Sequence, residues 1–164
     1  MKGLELTLAI IKPNATKLPH AVQGIRNRII SSGFYVVRTK DVHLSMNEAQ
    51  QFYIEHKQKF FYDRLTSFLS SGNIHVHILA GTNAIQMWRQ LLGPTKVYQA
   101  KVENPTSIRA LYGVTDTRNA AHGSDSLLES IDSAAKIGIV CPHIFQATII
   151  VQGTYNGKYT RVII

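Results

Sequence analysis

The stretch that decides the reading is Asn119-Ala120-Ala121-His122-Gly123-Ser124-Asp125-Ser126. His122 ends a short strand predicted over Thr117 to His122. The glycine beside it lets another group approach closely. Two serines and an aspartate then open a helix predicted over Ser124 to Lys136, and the free N–H groups of a helix start favour anions. A neutral imidazole is a good nucleophile near pH 7, because its unperturbed pKa is about 6.5. Covalent capture of a phosphoryl group by such a ring splits one hard transfer into two easier ones. The spacing alone fits a structural histidine in a turn before a capped helix equally well.

Outward from this stretch, the rest of the chain supplies a frame. Leu4 to Ile11 (LELTLAII) is short and apolar and is closed by Lys12-Pro13-Asn14, as in a buried strand that ends in a loop. Val22, Ile25, Ile29 and Ile30 repeat at helical spacing until Gly33. Phe34 to Leu44 is rich in valine and aromatics and reads as a strand. Ser45-Met46-Asn47-Glu48 is a capping box for a helix to about Lys57, and a second helix covers Phe60 to Ser70. Ile74 to Ala80 (IHVHILA) alternates as a strand does, and Asn83 to Leu92 is a helix stopped by Gly93-Pro94. Thr95 to Gly113 reads as a long irregular loop, the kind that tends to be functional. After Ile137 the pieces ATIIVQG and KYTRVII are strand-like. This order predicts an α+β fold of the ferredoxin-like kind, an antiparallel sheet with helices on one face.

Composition narrows the chemistry. The 164 residues suggest one domain; 45% are hydrophobic, enough for a packed core. Lys and Arg number 18 against 10 acids, a formal charge of +8, which suits nucleotides, nucleic acid or an anionic surface. The single cysteine, Cys141, allows no intrachain disulfide and reads as a small buried side chain. No signal-peptide pattern and no membrane-spanning apolar run is visible, so a cytoplasmic or mitochondrial protein without a membrane partner is expected. His75 and His77 share a strand face. Two histidines without a third ligand do not make a metal site, and they read as core or interface residues.

The stretch around His122 resembles the active-site signature of nucleoside diphosphate kinases, N-x-x-H-G-S-D-S, in full. The resemblance covers residues 4 to 137. It extends through Thr7-Leu8-Ala9-Ile10-Ile11-Lys12-Pro13, Phe60-Phe61, Leu92-Gly93-Pro94-Thr95 and Ser107-Ile108-Arg109. Leu92-Gly93-Pro94-Thr95 with the extended loop after it, and Thr115-Asp116-Thr117-Arg118-Asn119, are most similar to the divergent type-6 branch, which is linked with mitochondria. The family domain is thereby set at 1–137, with 138–164 an extension of unassigned role that packs on it.

The resemblance implies ping-pong phosphoryl transfer through a phosphohistidine at His122. It also implies the family's nucleotide-binding set. Lys12 would contact the transferring phosphate, and Arg89 and Arg109 would hold phosphate oxygens with planar forks. Thr95 would give the phosphates a hydroxyl, Tyr53 would place its own hydroxyl near His122, and Asn119 would bind the ribose side. Phe60 would stack on the base, which any base tolerates. Mg²⁺ would be held mainly by nucleotide phosphates and water, with no metal-binding cage from the protein. Taken singly, each residue has an ordinary reading: Lys12 a solvated strand end, Arg89 a surface charge, Phe60 and Phe61 core, Tyr53 a half-buried helix residue.

Two departures stand out. The loop from Thr95 to Arg109 is longer than in typical members, where it shapes the nucleotide site and the trimer contacts of hexamers. A homo-oligomer, dimer or hexamer, is implied by the family, and the longer loop argues against the hexamer. Typical members also carry a glutamate in the helix after the signature that holds the far nitrogen of the histidine. Ser133-Ala134-Ala135-Lys136-Ile137 passes that place without one, which leaves Glu129 or Asp132 to substitute. A low-activity member kept as a partner or scaffold protein is the first alternative. An RNA-binding module is the second: Gly33-Phe34-Tyr35-Val36-Val37 approximates the aromatic strand motif of such modules. Ser32 stands where that motif has a basic residue, and a second aromatic platform is missing.

Overall fold

The structure, a computed structural model, describes residues 4–139, 150–154 and 158–163. Four strands form its main antiparallel sheet: β1 (Glu5–Ile11), β2 (Tyr35–Val42), β3 (Ile74–Gly81) and β4 (Ala121–Gly123), in the order β2-β3-β1-β4. That order, with helices in the connections, is the expected ferredoxin-like arrangement. β1 pairs with β3 along its whole length, from Glu5 opposite Gly81 to Ile11 opposite His75. Its last three residues also pair with β4, Ile10 standing opposite His122.

The helices cover both faces of the sheet rather than one. On one face Leu6, Leu8 and Ile10 of β1 and Ile74, Val76 and Ile78 of β3 join Phe52, Leu69 and Ala134. These last three come from α3 (Met46–Phe52), α4 (Tyr62–Leu69) and α8 (Leu127–Lys136). On the other face Ala9, Ile11 and Leu79 pack with Ile25, Trp88 and Ile108. Those belong to α2 (Pro19–Ser31), α5 (Ala84–Leu92) and α7 (Ile108–Tyr112). The alternation expected in β3 is therefore absent: from Val76 to Gly81 every residue is buried, because β3 is an inner strand with helices above and below.

Several boundaries follow the sequence closely. The capping box at Ser45 is present, with Glu48 N–H on Ser45 Oγ (3.2 Å) and Ser45 N–H on Glu48 Oε2 (2.7 Å). The helix it opens stops at Phe52 and gives way to a 3-10 turn at Ile54–His56 instead of running to Lys57. The stretch after Gly93 is not an irregular loop: it holds α6 (Val97–Glu103) and α7. α6 is started by Asp116, whose Oδ1 accepts Val97 N–H (3.2 Å), and α7 by Ser107, whose Oγ accepts Ala110 N–H (3.3 Å). A single short turn, α1 (Pro13–Thr16), follows β1. In the C-terminal extension, β5 (Ile150–Thr154) and β6 (Lys158–Ile163) form a separate antiparallel pair. Cys141 lies outside the described residues. Among the described residues no helix is long and apolar enough to cross a membrane.

His77 is a polar residue inside this core. It is 3% exposed, shares a hydrogen bond with Thr39 Oγ1 through Nδ1 (2.9 Å), and leaves Nε2 without a partner. His75 lies between Asp41 (3.8 Å) and Arg26 (3.5 Å). Among the described residues no three His, Cys, Asp or Glu side chains group to hold a metal. Burial first, then the Arg26 charge, lowers the His77 pKa to about 4. A base whose folded pKa lies below its unfolded value takes up more protons when unfolded. Stability is then lost as the pH falls from about 6.5 toward 4, by up to about 3 kcal/mol for this residue. Urea midpoints at pH 7 and pH 4.5 test this: the drop between them shrinks in His77→Gln, and an unchanged drop contradicts it.

Candidate active site

His122 sits in the middle of β4, not at the end of a strand as its sequence suggests. Directly opposed residues of neighbouring strands point to the same face, so His122 shares the face of Ile10, toward α3 and α8. Phe52 meets the ring edge-on at 5.3 Å between centroids. From the other face Trp88 Nε1–H donates to the His122 carbonyl (3.1 Å). Gly123 is required by that contact, since a Cβ there would stand 2.6 Å from Trp88 Cδ1. Neither Phe52 nor Trp88 stood out in the sequence, because apolar periodicity marks a core position without saying what it supports.

Before β4 the chain makes a tight approach to β1. Ala120 has φ +72°, in the left-handed region that non-glycine residues seldom occupy. Its carbonyl accepts Lys12 N–H (2.8 Å), and Asn119 Oδ1 accepts from Lys12 Nζ (2.9 Å). Lys12 is only 4% exposed, so it is no solvated strand end. Burial, with the Arg109 charge second, lowers its pKa to about 7. Asn119 is fixed in turn by Nδ2–H on the Thr95 carbonyl (3.3 Å).

Arg109, in the first turn of α7, is held by backbone oxygens. It donates through Nη1 to the Gly93 carbonyl (2.8 Å) and more loosely to Thr95 Oγ1 (3.4 Å), and through Nη2 to the Ala121 carbonyl (3.3 Å). Its buried Nε–H has no partner. Burial and then the nearby Arg89 charge lower its pKa to about 10. Arg89, in the last turn of α5, is half exposed and ion-paired with Asp125. Burial holds the Tyr53 hydroxyl protonated by raising its pKa.

These groups surround one cavity of about 610 Å³. His122, Lys12, Arg89 and Arg109 all line it, and so do Tyr53, Phe60, Thr95 and Asn119. Phe60 is not core: it is 89% exposed. The His122 ring keeps 18% of its surface open. Burial, then the Lys12 and Arg109 charges, lowers its pKa to about 3, so it stays uncharged at neutral pH. His122 Nε2 is buried without a hydrogen-bond partner, and the group facing it is Glu129 Oε1 at 3.7 Å. The second carboxylate oxygen of Glu129 accepts Asp125 N–H (2.5 Å) at the start of α8. Asp132 is engaged elsewhere, with Lys136 at 2.5 Å. Of the two acids left open by the sequence, Glu129 is the one at the ring.

Known proteins resemble this chain in sequence and in fold. The nucleoside diphosphate kinase family model matches residues 5–139. The chain is 45% identical over 127 residues to nucleoside diphosphate kinase 6 of Xenopus tropicalis, covering 77% of this chain and 71% of that protein. It is 45% identical over 129 residues to nucleoside diphosphate kinase 6 of Homo sapiens, covering 79% of this chain and 69% of the human protein. It resembles the crystal structure of the Aquifex aeolicus nucleoside diphosphate kinase with a TM-score of 0.78 and 34% identity, over 82% of this chain and 94% of that one. The type-6 likeness seen in the sequence thus has its counterpart among whole relatives.

An amine whose pKa burial lowers to about 7, on the wall of this cavity, is driven back to its protonated form by an incoming phosphate. Titration calorimetry of a Mg²⁺–nucleoside diphosphate at pH 8, in buffers of different ionisation enthalpy, is expected to show uptake of about one proton. The uptake fades by pH 6 and is lost in Lys12→Gln. Binding at pH 8 with no buffer dependence contradicts the buried-lysine account.

Proposed function

The chain belongs to the nucleoside diphosphate kinase family, and on that premise we propose that it is an active phosphotransferase that moves the γ-phosphoryl group of a nucleoside triphosphate to a nucleoside diphosphate through a phosphohistidine at His122. The observation that carries this reading is an uncharged imidazole on the wall of a cavity where Lys12, Arg89 and Arg109 converge. Lys12, Arg89 and Arg109 around one space call for a multiply charged anion, and the ring among them is a nucleophile that stays uncharged at neutral pH.

Nε2 faces Glu129, which leaves Nδ1 toward the cavity. The Nδ1 lone pair attacks the γ-phosphorus in line. The N–P bond forms as the bond from the γ-phosphorus to its bridging oxygen breaks, and the diphosphate departs with that oxygen. An acceptor's terminal β-phosphate oxygen then attacks the same phosphorus, the N–P bond breaks, and the lone pair returns to the ring. Lys12, Arg89 and the free Nε–H of Arg109 hold the equatorial oxygens, where charge is spread in such transfers. Arg89 exchanges Asp125 for phosphate as the nucleotide enters. Tyr53 stays a hydrogen-bond donor because its hydroxyl does not ionise near pH 7. Thr95 and Asn119 take phosphate and sugar oxygens, and Phe60 offers its open face to the base.

Mg²⁺ carried in on the nucleotide would supply neutralisation of phosphate charge. The donor set fits that arrangement. The cavity's acids are Asp116, Asp125 and Glu129, engaged respectively with Val97 N–H, Arg89 and Asp125 N–H. A Mg²⁺ that keeps its water and phosphate ligands asks at most one or two carboxylates of the protein, and Asp125 is the one released when Arg89 turns to phosphate.

Glu129 is the group placed to position the histidine: once its carboxylate closes on Nε2–H and accepts from it, the tautomer with Nδ1 free is fixed. Its distance of 3.7 Å is beyond hydrogen-bond range, and this gap favours the second reading, a slow member acting mainly as a partner protein. Incubation with γ-labelled ATP and Mg²⁺ separates them. Rapid acid-labile labelling, removed by GDP and absent in His122→Asn, is expected; a label that persists in His122→Asn contradicts the nucleophile. Glu129→Ala is expected to slow labelling roughly ten- to a hundredfold, by analogy with lost orienting partners at metal sites.

A further inference from the structure

We propose that the end of the cavity remote from His122 selects guanine, with Asp116 and Arg64 reading the base; this rests on the nucleotide-binding reading above and refines it. Arg64 Cζ stands 5.7 Å from the centroid of the exposed Phe60 ring. Arg64, Asp116 and Thr117 line both the cavity and an adjoining groove of about 750 Å³, whereas Lys12, Arg109 and His122 line only the cavity. The three shared residues therefore mark the outer end, where a base comes to rest when its phosphates reach the ring.

The two charged groups there are set up differently. Asp116 sits in a turn closed by Val114 N–H on the Arg118 carbonyl (2.8 Å) and Arg118 N–H on Thr115 Oγ1 (3.1 Å). Its Oδ1 is anchored by Val97 N–H (3.2 Å), and its Oδ2 has no hydrogen-bond or ion-pair partner among the described residues. Asp116 is thus a fixed acceptor. Arg64 has no carboxylate partner among the described residues and lies over Phe60, so an incoming base displaces it and meets a free planar donor.

Stacking on Phe60 does not distinguish bases, so discrimination falls to this acceptor and this donor. Guanine presents O6 and N7 to an arginine fork and N1–H with N2–H₂ to a carboxylate. Adenine and cytosine turn an amine toward Arg64 and a bare ring nitrogen toward Asp116. Uracil satisfies both groups once but points its O2 at the carboxylate. Hypoxanthine lacks only the N2 amine. The order of affinity is guanine, hypoxanthine, uracil, then adenine and cytosine.

Calorimetric titration of the full chain with Mg²⁺ and GDP, IDP, UDP, ADP or CDP tests the order. GDP is expected to bind about tenfold tighter than ADP or CDP, with IDP between. Asp116→Asn keeps an acceptor for Val97 N–H and turns the free oxygen into an NH₂ donor. It weakens GDP about tenfold and does not weaken ADP, whose retained binding shows that the variant is folded. Arg64→Leu weakens GDP and IDP alike and leaves ADP within twofold. Wild-type GDP and ADP affinities within twofold, or a GDP to ADP ratio unchanged in Asp116→Asn, overturn the proposal. Calorimetry needs no phosphoryl transfer, so the two readings fail separately. Base preference without a phosphohistidine removes only the catalytic reading; a phosphohistidine with no base preference removes only this one.

Discussion

Everything in the site depends on two cations kept inside the protein beside one imidazole. Lys12 and Arg109 are drawn out of water by Asn119 Oδ1 and by the carbonyls of Gly93 and Ala121. Neither is neutralised by a carboxylate among the described residues. Such an arrangement is costly in a free protein. Lys12 answers by giving up much of its charge near pH 7, and His122 by refusing a proton altogether. The same field that keeps the ring uncharged favours an anion in the cavity it faces.

The fold serves this by bringing distant segments to one place. Lys12 follows β1 directly, His122 lies opposite Ile10 of that strand, Arg109 lies in the first turn of α7 and Arg89 in the last turn of α5. Trp88 under the His122 carbonyl and Phe52 against its ring hold this histidine from both faces of the sheet. Glu129 completes the set from α8. It stands one helical turn nearer the helix start than the Ser133 to Ile137 segment where the family pattern places its glutamate. Its other oxygen is occupied with Asp125 N–H at the helix start.

What could be read from the sequence was whatever is local. The apolar run of β1, the spacing of α2, the box at Ser45 and the signature around His122 all announce themselves over a few residues, and the structure follows them. Two kinds of feature were hidden. One is the stretch from Thr95 to Gly113, which looks irregular because its two helices are short and one of their caps, Asp116, lies 19 residues from the amide it accepts. The other is burial. His77 gave β3 a false alternation, because an inner strand with helices on both sides buries a polar residue too, whereas His75 near the strand's start is only half-buried. The depth of Lys12, the openness of Phe60 and the nearness of Glu129 are likewise products of packing. The roles given to Lys12, Arg89 and Arg109 came from likeness to a family; their convergence on one cavity is a property of the three-dimensional structure.

The most direct test of this account is the ¹⁵N NMR titration of the His122 ring in the free protein between pH 5 and pH 8. An uncharged ring across the whole range, protonated on Nε2 and bare on Nδ1, is the predicted result. A ring that gains its second proton near the ordinary histidine value of about 6.5, or that carries its single proton on Nδ1, would contradict it.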